Sequence, residues 1–461
     1  MNGIELIAKA MRLEEVERIP WVPFVGVHAG ELLGLSAKKF LKSTEDIVAG
    51  VNKAIELYHP DGIPIAFDLQ IEAEALGCQL IWADDNPPAV VSHPLAEGKS
   101  IDELHIPCKC KGRISTVLEA TRILRDQHPD LALYGLITGP FTLALHLLGT
   151  DIFMKMFEDP EYVHKLMRFA TDVAKFMSQN YIESGADVVA LVDPMTSQID
   201  PLSFETFVSP YVTEIFDFIR ENEALSSFFV CGNAQQNIEV MCRCKPNNVS
   251  IDENIPLEYV KTIALKHKVS FGGNMKLTVV LLMGTEEDSR RDALNCMDIG
   301  GKRGFILAPG CDLAMATPKE NLIAVVELVH DELLQGELRA SEAVTASFDK
   351  IDLSNHWEDE KVVVDIITLD SSSCAPCQYM VDAVMRAKDR FGDKIICKEH
   401  RIKDKAGVQM MMALGVQNIP TVVMDGKVEF ISQIPPIAKI EERMEQHLSN
   451  KLKIEIGVPM E

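Results

Sequence analysis

Over roughly its first 335 residues the chain alternates short β-rich apolar runs with amphipathic helical stretches, and that alternation constrains the fold more than any other feature. Candidate strands are Pro23–His28, Gly62–Phe67, Leu133–Thr138, Asp187–Val192, Phe228–Cys231, Asn248–Ile251, Val269–Gly273 and Gly304–Ala308. The apolar spacing between them suits helices, as in Pro160–Ser178 and Phe204–Arg220. Eight such units predict an α/β protein built as a (β/α)8 TIM barrel over residues 1–336. On periodicity alone, a doubly wound open sheet is the alternative.

The pattern breaks at residues 337–360. Ser341–Ser354 is small and polar and His356–Lys361 is charged, which reads as a linker with at most a short helix. A small α/β domain is expected over 361–461. Its elements are a strand at Lys361–Leu369, a helix at Cys377–Phe391, a strand at Asp393–Cys397 and a helix at Lys405–Leu414 closed by Gly415. Thr421–Met424 and Lys427–Ile431 flank Asp425-Gly426, a hairpin dipeptide, and a charged helix follows at Ile437–Lys451.

Composition decides partners more than fold. With 45 Lys and Arg against 69 Asp and Glu, the net charge is −24, which repels phosphate backbones and anionic lipid surfaces. No apolar run approaches the ~20 residues of a membrane span, and Glu5 interrupts the apolar stretch Met1–Leu13, so no signal peptide is read there. A cytoplasmic protein is expected, with room for a homo-oligomer. Eleven cysteines without a secretion signal favour reduced thiols, metal ligands or redox chemistry over a disulfide scaffold.

In parallel α/β barrels the chemistry gathers at the C-terminal ends of the strands. His28, Asp68, Asp193, Cys231, Asp252, Asn274 and Cys311 all fall at or just past a candidate strand end. The plain alternative for each polar residue is a turn former or a helix cap, most of all for Asp252. Cys108-Lys-Cys110 and Cys242-Arg-Cys244 place two thiols at i and i+2. They lack the usual Cys-x2-Cys zinc spacing and read as surface or core thiols. The methionine run Met410–Met412 reads as core packing within a helix.

Several segments then stand together in order. They are Gly135-Leu-Ile-Thr-Gly139-Pro140-Phe141-Thr142, Asp193-Pro194 with Leu202-Ser203 and Pro210-Tyr211, Gly273-Asn274, and Leu307-Ala308-Pro309-Gly310-Cys311 with Thr317-Pro318. This set resembles the uroporphyrinogen decarboxylase superfamily, and most nearly its methylcobamide:coenzyme M methyltransferase branch. The resemblance implies a (β/α)8 barrel. From their places at the strand ends, Asp68 and Asp193 are expected to be catalytic and His28, Asn274 and Asp252 to bind substrate. True decarboxylases of this superfamily carry an Arg-Gln-x-Gly-Arg stretch after the first strand. Here the region reads Phe24-Val-Gly-Val-His28-Ala-Gly-Glu-Leu-Leu33, with no arginine to hold a many-carboxylate tetrapyrrole.

The methyltransferase branch holds zinc with His-x-Cys after the fifth strand and a Cys after the eighth. Cys231 and Cys311 match the two cysteines, but Phe229 stands at the histidine position. Zinc is expected on Cys231 and Cys311, completed by His28, Asp193 or a substrate thiol. The same resemblance implies a corrinoid on a partner protein as methyl donor and a small thiol or similar acceptor.

Cys374-Ala-Pro-Cys377 follows a strand and opens a helix, and Ile419-Pro420-Thr421 comes some forty residues later. This arrangement resembles thioredoxin-like domains. The resemblance implies a redox-active Cys374 and Cys377 beside a cis-Pro420, with the Cys374 thiol made more acidic by the helix N-terminus. Three functions therefore compete. The first is a corrinoid-linked methyltransferase-like enzyme with a fused dithiol domain. The second is a decarboxylase of a smaller substrate. The third is a non-catalytic barrel that scaffolds a redox domain.

Overall fold

A computed structural model describes residues 1–341, 353, 361–372 and 374–455. The chain forms two compact units, Met1–Ala343 and Val344–Glu461. Most of the stretch expected as a linker, 337–360, lies outside the described residues. Its first four residues end the helix Glu332–Ala340, which is started by Asp331, whose side chain accepts from the backbone N–H groups of Leu333 and Leu334.

The first unit is an α/β body around a curled parallel sheet of seven strands among the described residues. These are β1 (Gly62–Pro64), β4 (Ala132–Thr138), β5 (Val188–Val192), β6 (Leu225–Val230), β7 (Asn248–Ile251), β8 (Ser270–Met275) and β9 (Phe305–Pro309), paired in that order. A two-strand hairpin, β2 (Leu80–Ile81) and β3 (Ala89–Val90), stands apart. Every residue of β4 and β5 is buried, as expected of strands covered on both faces. The register runs without a break from Tyr134↔Val188 to Thr138↔Val192.

The expected first strand, Pro23–His28, is not a strand. Instead Trp21 makes an isolated parallel bridge to Leu307. Val22 N–H donates to the Leu307 carbonyl and Leu307 N–H to the Pro20 carbonyl, each at 2.9 Å, while Asp61 N–H donates to the Trp21 carbonyl at 2.9 Å. The run Pro20–Val22 thus hydrogen-bonds to β9 on one side and to the residue preceding β1 on the other. The ladder stops there because Pro23 has no N–H to continue it, and His28 already begins the short helix His28–Glu31.

Phe24, Phe67 and Phe229 pack together inside the curled sheet, with ring centroids 5.4 to 5.9 Å apart. With residues such as Tyr134, Ala190 and Ile306 they line a space of about 20 Å³. That is room for a water and no more. The interior is a packed core, so any substrate binds above it. Among the described residues no helix is long and apolar enough to cross a membrane.

The second unit carries a mixed four-strand sheet of β10 (Val362–Thr368), β11 (Ile395–Arg401), β12 (Thr421–Met424) and β13 (Lys427–Ile431), ordered β11-β10-β12-β13. β10 and β11 are parallel, and β12 and β13 are antiparallel to their neighbours. The β12–β13 turn places Asp425 at φ 46° and Gly426 at φ 72°, the left-handed pair that such a two-residue hairpin requires. Helices Ala375–Asp389, Lys405–Ala413 and Ile437–Glu455 complete the unit. The methionine run is not core. Met412 is 50% exposed and Met410 and Met411 are half-buried, whereas Gly407 and Val408 supply that helix's buried face. Cys397 is half-buried on β11, an edge strand.

Candidate active site

Cys231 follows β6 and Cys311 follows β9, at the ends where parallel strands present chemistry. Two strands separate β6 from β9 in the sheet, yet the curl brings the sulfurs to 3.0 Å. The turn after Cys231 is held from below. Asp252, just past β7, accepts from Gly232 N–H at 3.0 Å and from Asn254 N–H at 2.9 Å. Asn274, at the end of β8, donates to the carbonyls of Asp252 at 3.2 Å and Ile255 at 2.7 Å. Asp252 and Asn274 therefore fix the turn that carries Cys231. Loss of solvent pushes the Asp252 carboxyl above its usual range. The adjacent Glu253, which accepts from Leu277 N–H, is pushed up to about 8 by enclosure and then by the Asp252 charge.

Asp193 is fully buried past β5. It accepts from Phe141 N–H at 3.2 Å, Thr142 N–H at 2.8 Å and the Thr142 hydroxyl at 2.6 Å. These donors form the first turn of the helix Pro140–Leu148, an N-terminal anchor for a carboxylate. A Cβ on Gly139 would lie 2.2 Å from the Asp193 side chain, so only glycine admits this approach. Burial still raises the Asp193 carboxyl to about 7, against the pull of its donors.

Asp68, past β1, accepts from Gln70 N–H at 2.8 Å and pairs with Arg113, the first residue of the helix Arg113–Gln127. Arg113 also pairs with Glu74 at 2.6 Å and lies over the Trp82 ring at 4.8 Å. His28 is spent on structure. Its Nε2 accepts from the Tyr58 hydroxyl at 2.7 Å and its Nδ1 donates to the Met315 carbonyl at 3.1 Å. Burial lowers its pKa to about 4, which keeps the ring neutral.

These positions test the expected zinc. A catalytic zinc takes three protein donors. Two thiols stand together, but the third position is Phe229, 2% exposed in the aromatic cluster. His28 and Asp193, the expected substitutes, have their atoms committed as described above. Among the described residues no group of three His, Cys, Asp or Glu is placed to hold a metal. The residues present do not fit a zinc site of three protein ligands.

The other thiols divide. Cys242 and Cys244 are buried thiols, as expected, and burial pushes Cys242 up to about 12. Cys108 and Cys110 depart from the expectation of reduced thiols, because they are joined in a disulfide. In the second unit Cys374 precedes the helix Ala375–Asp389 and Cys377 is buried within it. The Ile419–Pro420 peptide is cis. The Cys374 thiol is not acidified as expected. Its hydrogen bond with Cys377, and then burial, hold it well above the usual thiol value and outweigh the Cys377 N–H and Lys403.

Sequence reasoning missed Arg113, Tyr58 and Glu253. Thr142 lay inside a recognised motif, where its hydroxyl was the available signal. Nothing local links Arg113 to a carboxylate 45 residues earlier.

A curled parallel sheet with polar residues and a thiol pair gathered past its strand ends defines the class of barrel-type α/β proteins whose site is built at the C-terminal face. The chain belongs to the uroporphyrinogen decarboxylase family, whose model, described as "Uroporphyrinogen decarboxylase (URO-D)", matches residues 2–332. It is 28% identical over 331 residues to the methylcobamide:CoM methyltransferase MtbA of Methanosarcina acetivorans, covering 70% of this chain and 96% of that one. It is 26% identical over 301 residues to the uroporphyrinogen decarboxylase of an Anaeromyxobacter species, covering 62% and 85%. Among solved structures, a methyltransferase from Methanosarcina mazei superposes with a TM-score of 0.66 at 24% identity, over 71% of this chain and 98% of that one, a likeness of fold.

Proposed function

We propose that the first unit is a methyltransferase that moves a methyl group from a methylated corrinoid, carried by a partner protein, to a small thiol. The observation that carries this reading is the Cys231–Cys311 pair, 3.0 Å apart past β6 and β9, in a chain similar to methylcobamide:CoM methyltransferases. In the transfer the acceptor thiolate forms a new S–CH3 bond as the Co–CH3 bond breaks. The bonding pair stays on cobalt, leaving it two electrons reduced. Asp252 and Asn274 set the turns that carry the reacting face, and Phe24, Phe67 and Phe229 close its floor against water. Asp193 and Arg113 shape the neighbouring loops. On this reading the curled sheet is a (β/α)8 barrel with its first strand reduced to the Trp21 bridge.

We read the second unit as thioredoxin-like, with Cys374 and Cys377 as a redox dithiol beside Pro420. Support comes from the strand order β11-β10-β12-β13 and from the position of Cys374 at a helix start. The test of the main reading is methylcobalamin with coenzyme M as acceptor. Expected are loss of the methylcobalamin spectrum and one methyl thioether per cobalamin consumed, at a rate cut about tenfold or more in Cys231→Ser and Cys311→Ser. A spectrum that holds, at the rate of the protein-free control, overturns it.

A further inference from the structure

The two cysteines expected to hold zinc meet each other instead. Their sulfurs lie 3.0 Å apart. Two sulfurs on one tetrahedral zinc stand about 3.8 Å apart, from Zn–S bonds of about 2.3 Å. A disulfide bond is about 2 Å long, so closing this pair takes a movement of about 1 Å, within the reach of side-chain rotation. The position that would complete a metal site is Phe229, buried among the rings of Phe24 and Phe67. What remains is the donor set of a dithiol.

Both cysteines sit on anchored turns. Gly232, next to Cys231, donates its N–H to Asp252 at 3.0 Å, and Gly310, next to Cys311, donates its N–H to the Met275 carbonyl at 2.9 Å. Each cysteine is half-buried and packs against the core that includes Phe229 and Ala308. Solvent and small solutes therefore reach the pair while its backbone stays fixed. The other thiols of this unit do not compete. Cys78, Cys242 and Cys296 are buried, and burial pushes each up to about 12. Cys244 is buried and raised as well. A thiol that keeps its proton does not attack a disulfide. Cys108 and Cys110 are already joined to each other.

We propose that Cys231 and Cys311 are a redox dithiol that reduces low-molecular-weight disulfides at the C-terminal face of the curled sheet. One cysteine, as thiolate, attacks one sulfur of a disulfide R–S–S–R. That bond breaks, a mixed disulfide forms, and the departing R–S⁻ takes up the proton that the attacking thiol gave to water. The second cysteine, deprotonated, then attacks the sulfur of the first. A Cys231–Cys311 bond forms, and a second R–S⁻ leaves and is protonated in turn. Two electrons pass from the pair to the small disulfide, which becomes two thiols. Because the second sulfur already lies 3.0 Å from the first, this last step is intramolecular and the mixed disulfide does not accumulate. A dithiol reductant reopens the bond and completes the cycle. The exchange involves no corrinoid, no methyl group and no residue of the second unit, so it stands or falls apart from the readings proposed above.

The test uses the full-length chain with Cys374→Ser and Cys377→Ser, which removes the dithiol of the second unit. The protein is reduced with dithiothreitol, desalted and mixed at pH 8 with bis(2-hydroxyethyl) disulfide. Samples are quenched with acid, alkylated and mapped by tandem mass spectrometry without reduction. A peptide pair that joins Cys231 to Cys311 is expected, with the mixed disulfide at either cysteine below about a tenth of it. Adding Cys311→Ser should leave Cys231 with a lasting mixed disulfide, and adding Cys231→Ser should do the same at Cys311. Dithiothreitol should restore both thiols in the parent. Cysteines 231 and 311 that are recovered only as alkylated thiols while Cys108 and Cys110 rejoin overturn the proposal. So do separate mixed disulfides on the two cysteines with no bond between them.

Discussion

Arg113 reaches 45 positions back along the chain to pair with Asp68, and both side chains are almost completely withdrawn from water. Glu74 takes Nε and the Trp82 ring lies 4.8 Å from the guanidinium, while Nη2 is buried without a hydrogen-bond partner. The cation that faces the barrel mouth is therefore already neutralised, and it comes from a helix start rather than from the loop after the first strand.

Breaking this pair from one side should be costly. Arg113→Met leaves the Asp68 charge buried without its partner, which costs about 3–5 kcal/mol. Urea unfolding of Arg113→Met, Asp68→Asn and the double variant checks this. The double variant should recover a large part of the loss, and strict additivity would mean that the two groups are not coupled.

Asp193 should leave a mark on the pH profile of stability. Its carboxyl is raised from 3.8 to about 7 by burial, so the folded chain holds a proton that the unfolded chain gives up. Its contribution is complete below about pH 4 and is lost as pH rises through 7, a fall of order 2–4 kcal/mol. Asp193→Asn, compared with wild type by urea unfolding from pH 4 to 8, should show a flatter profile. An identical slope in both proteins would sink the assignment.

Phe229→His supplies the donor that the cysteine pair lacks. Residues 229 and 231 lie on one side of the β6 path, and a neutral imidazole adds a third ligand to two thiols. The variant should retain zinc through dialysis where wild type does not. Without metal it should be less stable by about 1–3 kcal/mol, because a polar ring replaces a buried aromatic. Zinc retention equal to wild type counts against the site.

Uroporphyrinogen should not be decarboxylated. No arginine occurs in Phe24–Leu33, and Arg113 is held by Asp68 and Glu74. A tetrapyrrole with eight carboxylates then meets no bidentate cation from that loop or from Arg113. Coproporphyrinogen formed well above the enzyme-free rate would show that other residues do this work.

Periodicity made the strands legible where burial is total. In β4, β5 and β7 the apolar runs and the observed limits agree within one residue. It misled at Pro23–His28, where the apolar run opens on Pro23, which has no N–H for the ladder, and turns into a helix at His28. The cysteines past β6 and β9 could be read from spacing, since strand ends converge on one face. Hydrogen-bond partners could not. The turn-former reading fell on Asp252 more than on Asp193, yet both are held, Asp193 by a helix start and Asp252 by the turn of Gly232. The methionine run failed for a related reason, because helical spacing alone does not say which face the fold covers.

The three-residue run Pro20–Val22 has a consequence for how the first unit can be cut. Leu307 and Asp61 each give a backbone N–H to it. Removing the chain up to Val22 would strip partners from β9 and from the start of β1 together, and lay open two unpaired borders of a sheet whose outer strands, β1 and β9, are apolar. Such borders recruit strands from other molecules. A shortened chain should gather into multimers rather than simply lose a little stability, because the missing piece joins β9 to the residue before β1 and is not an appendage to them.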